Sequence, residues 1–439
     1  MPSTHDPDLA KALFSFRQSI AENNLPNASL LLIRPYCMQT FWLRHKQEIQ
    51  LSAVFMLSAH NSEIQVLGFV TDRVLSATTN TSATHQDFYD LAQSYSAAIF
   101  NLQKAIPLHS VCIPKPWGQE IWYTGMEDRG VCSVGSNYPE LNQENNTVPL
   151  PWLLSMAPEY THKEANLALL KILDPLADAV LGDLYFELHT EKHEVYVVTN
   201  INDVAWPEGD GGIRLGMNQE KRSQYTNDDA FRAAYLKAVL AYQAIRERID
   251  QEPTLKLSDN VKVEEKKLRM QMQNFTALQT LSVGDAVVVQ PDTPHSLLHG
   301  VRVVEFQSPV YERYIISFAQ KVLTQKTWDS EQAIERMQLG APPLPKFEPV
   351  ESNKRATVER IVRFDEFNVW RVQLQAHSAI QLTPDIPYAI CIGISGKTHV
   401  AGLDVQPEQA CLIPEPACGL LIENNSDTSA TSLIAAPGL

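Results

Sequence analysis

Glu187 and His189 stand two residues apart in the run DLYFELHT, a spacing that could hold a metal ion. On a β-strand, residues i and i+2 share a face. A carboxylate and an imidazole so placed project into one cavity. Glu194 opens the next strand-like run, EVYVV, after a short polar turn from Thr190 to His193, and a hairpin would bring it beside His189. Much later, GDAVVVQPDTPHSLLHG reads as a strand, a turn rich in Pro and Asp, and then His295. Closing a barrel would carry His295 to the earlier group. Two carboxylates and two imidazoles suit Zn2+, with Mn2+ and Fe2+ as alternatives, since all accept mixed nitrogen and oxygen ligands. An open coordination position would make the site catalytic. Taken singly, Glu-x-His on a strand is more often an exposed pair, Glu194 a surface carboxylate and His295 a turn histidine; the combination carries the expectation. His193 and His299 compete for a ligand role and rank lower by strand parity and turn position.

The elements that must position these residues fall into three parts. Residues 1–108 form an α+β region: helical spacing at Leu9, Leu13 and Phe14, then the strand-like runs ASLLLIRPY, LSAVFML and IQVLGFV. The polar stretch SATTNTSATHQD reads as a loop. Asp87 is placed to cap a helix through FYDLAQSYSAAIFNLQKAI, where Phe88, Leu91, Tyr95, Ile99 and Leu102 recur at helical spacing. Residues 109–346 form the metal-bearing domain. A helical insertion over 226–255 interrupts its strands, capped by Asn227 or Asp228, with Phe231, Tyr235, Val239 and Ile245 along one side. The charged segment KVEEKKLRM that follows reads as solvated turns. The proline-rich APPLPKFEP marks a linker, and residues 347–439 read as a second β domain through RIVRF, NVWRVQL, YAICIGI, QACLIP and GLLIE.

At 439 residues the chain exceeds one ordinary core. The formal net charge of -15 sets a field that repels nucleic acid and anionic membranes, so neither is expected as a partner. Six scattered cysteines with no Cys-x-x-Cys spacing argue against a disulfide framework or a zinc–cysteine site. With no signal-like N-terminus and no long apolar run, a cytoplasmic location is expected.

From residue 114 onward the chain resembles the type I phosphomannose isomerases, zinc-dependent enzymes of the cupin fold. The likeness rests on Lys115-Pro-Trp-Gly118 with Glu120-Ile-Trp122, Asn166 to Asp174, Phe186-Glu-Leu-His189, Lys192-His-Glu194, Ile213 to Gly216, Gly284 to His295, and Glu305-Phe-Gln307 with Arg313, in the family's order. It covers roughly residues 114–320 well and the C-terminal part loosely.

The resemblance implies a mainly β chain with α elements. Cupin-type barrels, one metal-bearing and one C-terminal, would be joined by a helical insertion and an α/β N-terminal region. It implies a metal held by Glu187, His189, Glu194 and His295, with Lys192 and Arg313 facing the substrate as catalytic groups. Lys115, Trp117, Glu305 and Gln307 would line the substrate site, although Trp117 and Trp122 also read as packing. The implied activity is aldose–ketose isomerisation of a sugar phosphate, mannose 6-phosphate to fructose 6-phosphate first. The alternatives are another cupin metalloenzyme, such as an Fe(II) oxygenase or an isomerase or epimerase of another sugar, and a non-catalytic sugar-binding cupin. Two departures stand out. Glu187 replaces the family's usual Gln, adding a negative charge that would move metal preference toward Mn2+ or Fe2+. The segment EFQSPVYER is two residues shorter than the family's and lacks its acidic residue before the arginine; Glu312, next to Arg313, would point the other way on a strand.

Overall fold

The computed structural model describes residues 9–23, 27–60, 63–138, 146–162, 166–251, 258–382, 386–415, 419 and 421–438. The chain is mainly β and divides into two compact units. One comprises Met1–Val111, Trp122–Ala168 and Phe347–Leu439, the other Cys112–Ile121 and Leu169–Lys346.

The second unit holds two sheets. Six strands run in the order Ala286–Val289, Glu194–Ile201, Val301–Gln307, Leu169–Pro175, Gly118–Trp122 and Val111–Lys115. Five run in the order Thr276–Leu281, Gly211–Met217, His295–Leu297, Phe186–Leu188 and Tyr314–Ser317. Alternating residues of both meet in one apolar core: Leu173, Val198, Val287 and Val303 from the larger sheet, Ile213, Leu281, Leu297 and Ile315 from the smaller. The expected mainly β fold is present, and its two sheets face each other without closing into a barrel. A closed barrel needs an unbroken, sheared ladder. Here the ladders end at Ala286–Val289 and Tyr314–Ser317, strands of four residues each. Gly118 is required where it stands: its φ is +145°, and a Cβ there would lie 2.2 Å from the Asp174 carbonyl oxygen.

The insertion is a pair of helices. Asn227 caps the first, Asp228–Gln251, accepting from Ala230 N at 2.8 Å. Phe231, Tyr235, Val239 and Ile245 are buried along it, joined by Tyr242. The charged run expected as turns is instead a second helix, Asp259–Gln273, capped by Ser258. Its largely exposed surface fits the solvated reading. Arg269–Glu265 along the helix and Tyr242–Glu265 and Arg248–Glu264 across the pair favour helical backbone.

In the first unit, Asn27–Gln39, Glu48–His60 and Glu63–Thr71 form an antiparallel meander. The loop expected at SATTNTSATHQD contains a short strand, Thr78–Asn80, paired with Asn27–Gln39. The following helix is His85–Ser94, capped by Thr84, with Asp87 returning the bond as its third residue. The expected helix through Ile106 ends early because Ser96 adopts φ 49°; Phe100–Asn101 then adds a strand beside Leu67 and Gly68. Ile106–His109 pairs with Ala410–Pro414 inside a nine-stranded sheet. That sheet and the four-stranded sheet Ser378–Gln381, Leu421–Asn424, Thr398–Val400, Leu403–Val405 enclose an apolar core. The second barrel is thus also an open pair of sheets. Five cysteines are free, and Cys418 lies outside the described residues. No described helix is long and apolar enough to cross a membrane.

Candidate metal centre

Two strands of the smaller sheet and one of the larger carry the predicted ligands. Glu187 and His295 are register partners on adjacent strands. His189 follows Phe186–Leu188 directly and reaches back, its Nε2 4.0 Å from Glu187 Oε1. Glu187, His189 and His295 offer atoms within 4.8 Å of one another. Glu194 arrives differently from the hairpin the sequence suggested: its strand belongs to the other sheet. It meets the imidazoles across the sandwich, with Oε1 3.3 Å from His189 Nε2 and Oε2 3.2 Å from His295 Nε2. The connection 189–193 crosses between sheets, so proximity comes from the packing of two faces.

The two imidazoles are oriented alike. His189 Nδ1 lies 2.7 Å from the Glu312 carbonyl oxygen and His295 Nδ1 3.0 Å from that of Thr293. A carbonyl only accepts, so each Nδ1 carries a proton, and in the neutral ring each Nε2 offers its lone pair. Both Nε2 atoms are buried without a hydrogen-bond partner, as is Glu187 Oε2. Histidines pinned at one nitrogen and bare at the other are the arrangement a metal site uses, so these residues fit a divalent ion. Glu194 is anchored by Lys192 Nζ at 2.7 Å on Oε1, and the Tyr196 hydroxyl donates to Oε2 at 2.7 Å.

The local field follows from burial. Burial works against the Glu194 charge, but Lys192, His189 and His295 hold its carboxyl well below the usual range. Burial and Lys192 push His189 well down, whereas for His295 the Glu194 carboxylate more than offsets burial and raises it. Burial raises the Tyr196 phenol, helped by Glu194.

Beside this group, the inner face of the larger sheet carries further charges. Glu305 lies opposite Tyr196 on one side and Lys171 on the other, with Lys171 Nζ 3.2 Å from its Oε2. Burial pushes the Glu305 carboxyl up to about 8, with Lys171 opposing and Glu194 assisting. Lys115 pairs with Glu120 at 3.2 Å. Gln307 lies opposite Glu194, its Oε1 buried without a partner. Trp117 sits in the apolar core, 1% exposed. Arg313 lies over the Tyr185 ring at 4.7 Å, with Nε 3.6 Å from Glu187 Oε2 and a guanidinium N–H donated to Thr324 Oγ1 at 2.8 Å.

Glu312 is engaged elsewhere: its Oε2 accepts from Thr190 N at 2.7 Å, fixing the turn after His189. His299 is spent on Asp183 at 2.7 Å and stacks on Trp206. Tyr196 and Lys171 had no role assigned from sequence. The i, i+2 parity of Glu194 and Tyr196 was the available signal for the first; the second needed the cross-strand register. A separate cleft of about 1190 Å³ lies along the N-terminal meander, lined by Arg17, His60, His85 and Lys104 among others.

No family model and no curated protein sequence matches the chain. Solved structures do match in fold. The mannose 6-phosphate isomerase from Bacillus subtilis superposes with TM-score 0.55 at 14% identity, over 76% of this chain and 99% of that one. The apo mannose 6-phosphate isomerase from Salmonella typhimurium gives 0.54 at 12%, over 76% and 100%. A zinc-bound mannose 6-phosphate isomerase gives 0.55 at 12%, over 76% and 100%. At these identities the likeness is one of fold: the chain adopts the architecture of the mannose 6-phosphate isomerases.

Proposed function

We propose that this protein is a metal-dependent sugar-phosphate isomerase interconverting an aldose and a ketose, with mannose 6-phosphate and fructose 6-phosphate as the pair. The observation that carries the reading is the pair of histidines with bare Nε2 atoms beside Glu187 and Glu194, facing a buried row of Lys and Glu. Glu187, His189, Glu194 and His295 would hold the ion, Zn2+ first, Mn2+ or Fe2+ otherwise. A bound divalent ion supplies positive charge to a substrate oxygen that turns negative as a neighbouring carbon loses its proton.

The chain's own groups supply the rest. A carboxyl titrating near 8 can take and return a proton around neutral pH, so Glu305 suits transfer between adjacent carbons. Lys192 and Arg313 add fixed positive charge, and the Arg313 fork suits two phosphate oxygens. Lys115 and Gln307 offer further polar contacts, and Trp117 shapes the apolar floor. The second carboxylate, Glu187, supports one other reading, an Fe(II) oxygenase.

Metal analysis of purified protein, with conversion of mannose 6-phosphate assayed with and without chelator, tests the proposal. One zinc per chain with chelator-sensitive turnover is expected. Bound iron with oxygen consumption would replace it with the oxygenase. Arg313→Ala should keep the metal and lose at least ten-fold in turnover; full activity would remove Arg313 from the site.

A further inference from the structure

The two imidazoles of the candidate centre are held by different means. His295 lies within a strand, paired with Glu187 on one side and Leu215 on the other. Its Nδ1 meets the carbonyl of Thr293 in the turn just before it. Strand register and a local bond therefore fix this ring. His189 stands one residue past the end of its strand, Phe186–Leu188. The ladder beside it pairs Glu187 with Ile315 and Leu188 with Tyr314 and stops there. The His189 carbonyl accepts from Asp292 N at 2.6 Å, which holds the backbone but not the ring.

Beyond that ladder, one residue 123 positions along the chain takes over. The Glu312 carbonyl oxygen accepts from His189 Nδ1 at 2.7 Å. The Glu312 carboxylate turns back to the same loop, where Oε2 accepts from Thr190 N at 2.7 Å and from Glu191 N at 3.4 Å. The main chain of Glu312 thus holds a candidate metal ligand, and its side chain holds the two residues that follow. The bond to Thr190 N sets where the loop lies, and so whether the ring reaches the Glu312 carbonyl. Once the loop moves, the proton is no longer kept at Nδ1. A neutral ring protonated at Nε2 offers no lone pair to an ion there.

We infer that Glu312 is a positioning residue for the metal centre: its carboxylate clamps the 190–191 turn so that its own carbonyl holds the His189 ring with Nε2 free for the ion. Losing a partner of this kind costs about ten- to hundred-fold in metal affinity. The inference rests on the metal-centre half of the isomerase reading and assumes nothing about the substrate. His295 serves as the internal control. Loss of the clamp alters His189 alone, whereas a general loosening of the fold alters both rings.

Zn2+ titration of the whole protein against a chromophoric chelator tests the role in wild type, Glu312→Ala and Glu312→Gln. Nitrogen–proton correlation spectra of the histidine rings, taken on metal-free protein in alkaline buffer, accompany it. Glu312→Ala is expected to weaken Zn2+ binding by about ten- to hundred-fold. His189 should shift from the Nδ1–H toward the Nε2–H form, with His295 unchanged. Glu312→Gln should restore both, because its amide oxygen can accept from Thr190 N and Oε1 has no bond to lose. Wild-type affinity in Glu312→Ala, a retained Nδ1–H form at His189, or equal changes at both rings would each overturn the inference. A wild-type protein that binds no Zn2+ would refute the isomerase reading alone, and the His189 spectra would then decide. If Glu312→Ala fails to fold, Glu312→Asp, whose carboxylate falls one methylene short of Thr190 N, is read in its place.

Discussion

The sandwich with the candidate metal centre and the sandwich that contains the C-terminal strands are built alike and filled differently. The first spends part of its inner face on Glu194, Tyr196, Glu305 and Lys171, with His189 and His295 facing them. The second fills its core with Val358, Val372, Cys391, Cys411, Ile422 and Ile434. Its buried Asn424 and Thr398 are neutral and bonded within the fold. Buried charge is tolerated only where it is paired, and it weakens a core relative to apolar packing. The difference teaches where buried charge takes the place of apolar packing. The two open sheet pairs share an architecture, and one of them alone, among the described residues, holds a cluster fit for an ion.

The sharpest break between the two should come from the ligands. His189→Ala or His295→Ala is expected to reduce bound metal from one per chain to nearly none, read by elemental analysis, and to abolish stabilisation by added metal. Full metal content in both variants would sink the site. In the other sandwich, Ile434→Ala removes a 1%-exposed side chain. It should cost about 2–5 kcal/mol in chemical denaturation while leaving metal content unchanged. Loss of metal there would show that the two cores do not behave separately.

A smaller effect separates charged from apolar filling by pH. Glu305 is raised from 4.5 to about 8 in the folded chain. Between those values the folded protein keeps a proton that the unfolded chain has released, so stability falls as pH rises through the window. Glu305→Gln cannot release that proton. In chelator-treated protein its melting temperature should gain on wild type from pH 5 to 8; parallel curves would contradict the raised carboxyl.

Much of this was legible along the chain. The apolar stripe Phe231, Tyr235, Val239, Ile245 marks a helix by period alone, and Glu187 with His189 marks a shared strand face by parity. Local period failed at Tyr95, Ile99 and Leu102, where Ser96 breaks the helix and pairing with Leu67 and Gly68 prevails. It also failed at KVEEKKLRM, where helix-to-helix bonds fix a pattern that composition left ambiguous.

The sequence by itself determined which residue types could bind an ion, and it placed Glu187, His189 and His295 on or beside strands, because side-chain direction along a strand is a local property. Only the tertiary structure decided that Glu194 approaches from the opposite sheet, that Lys171 lies against Glu305, and that Glu312 holds the turn after His189. Those contacts join residues more than a hundred positions apart or on separate sheets. They depend on register and on how two faces pack, which no local pattern encodes.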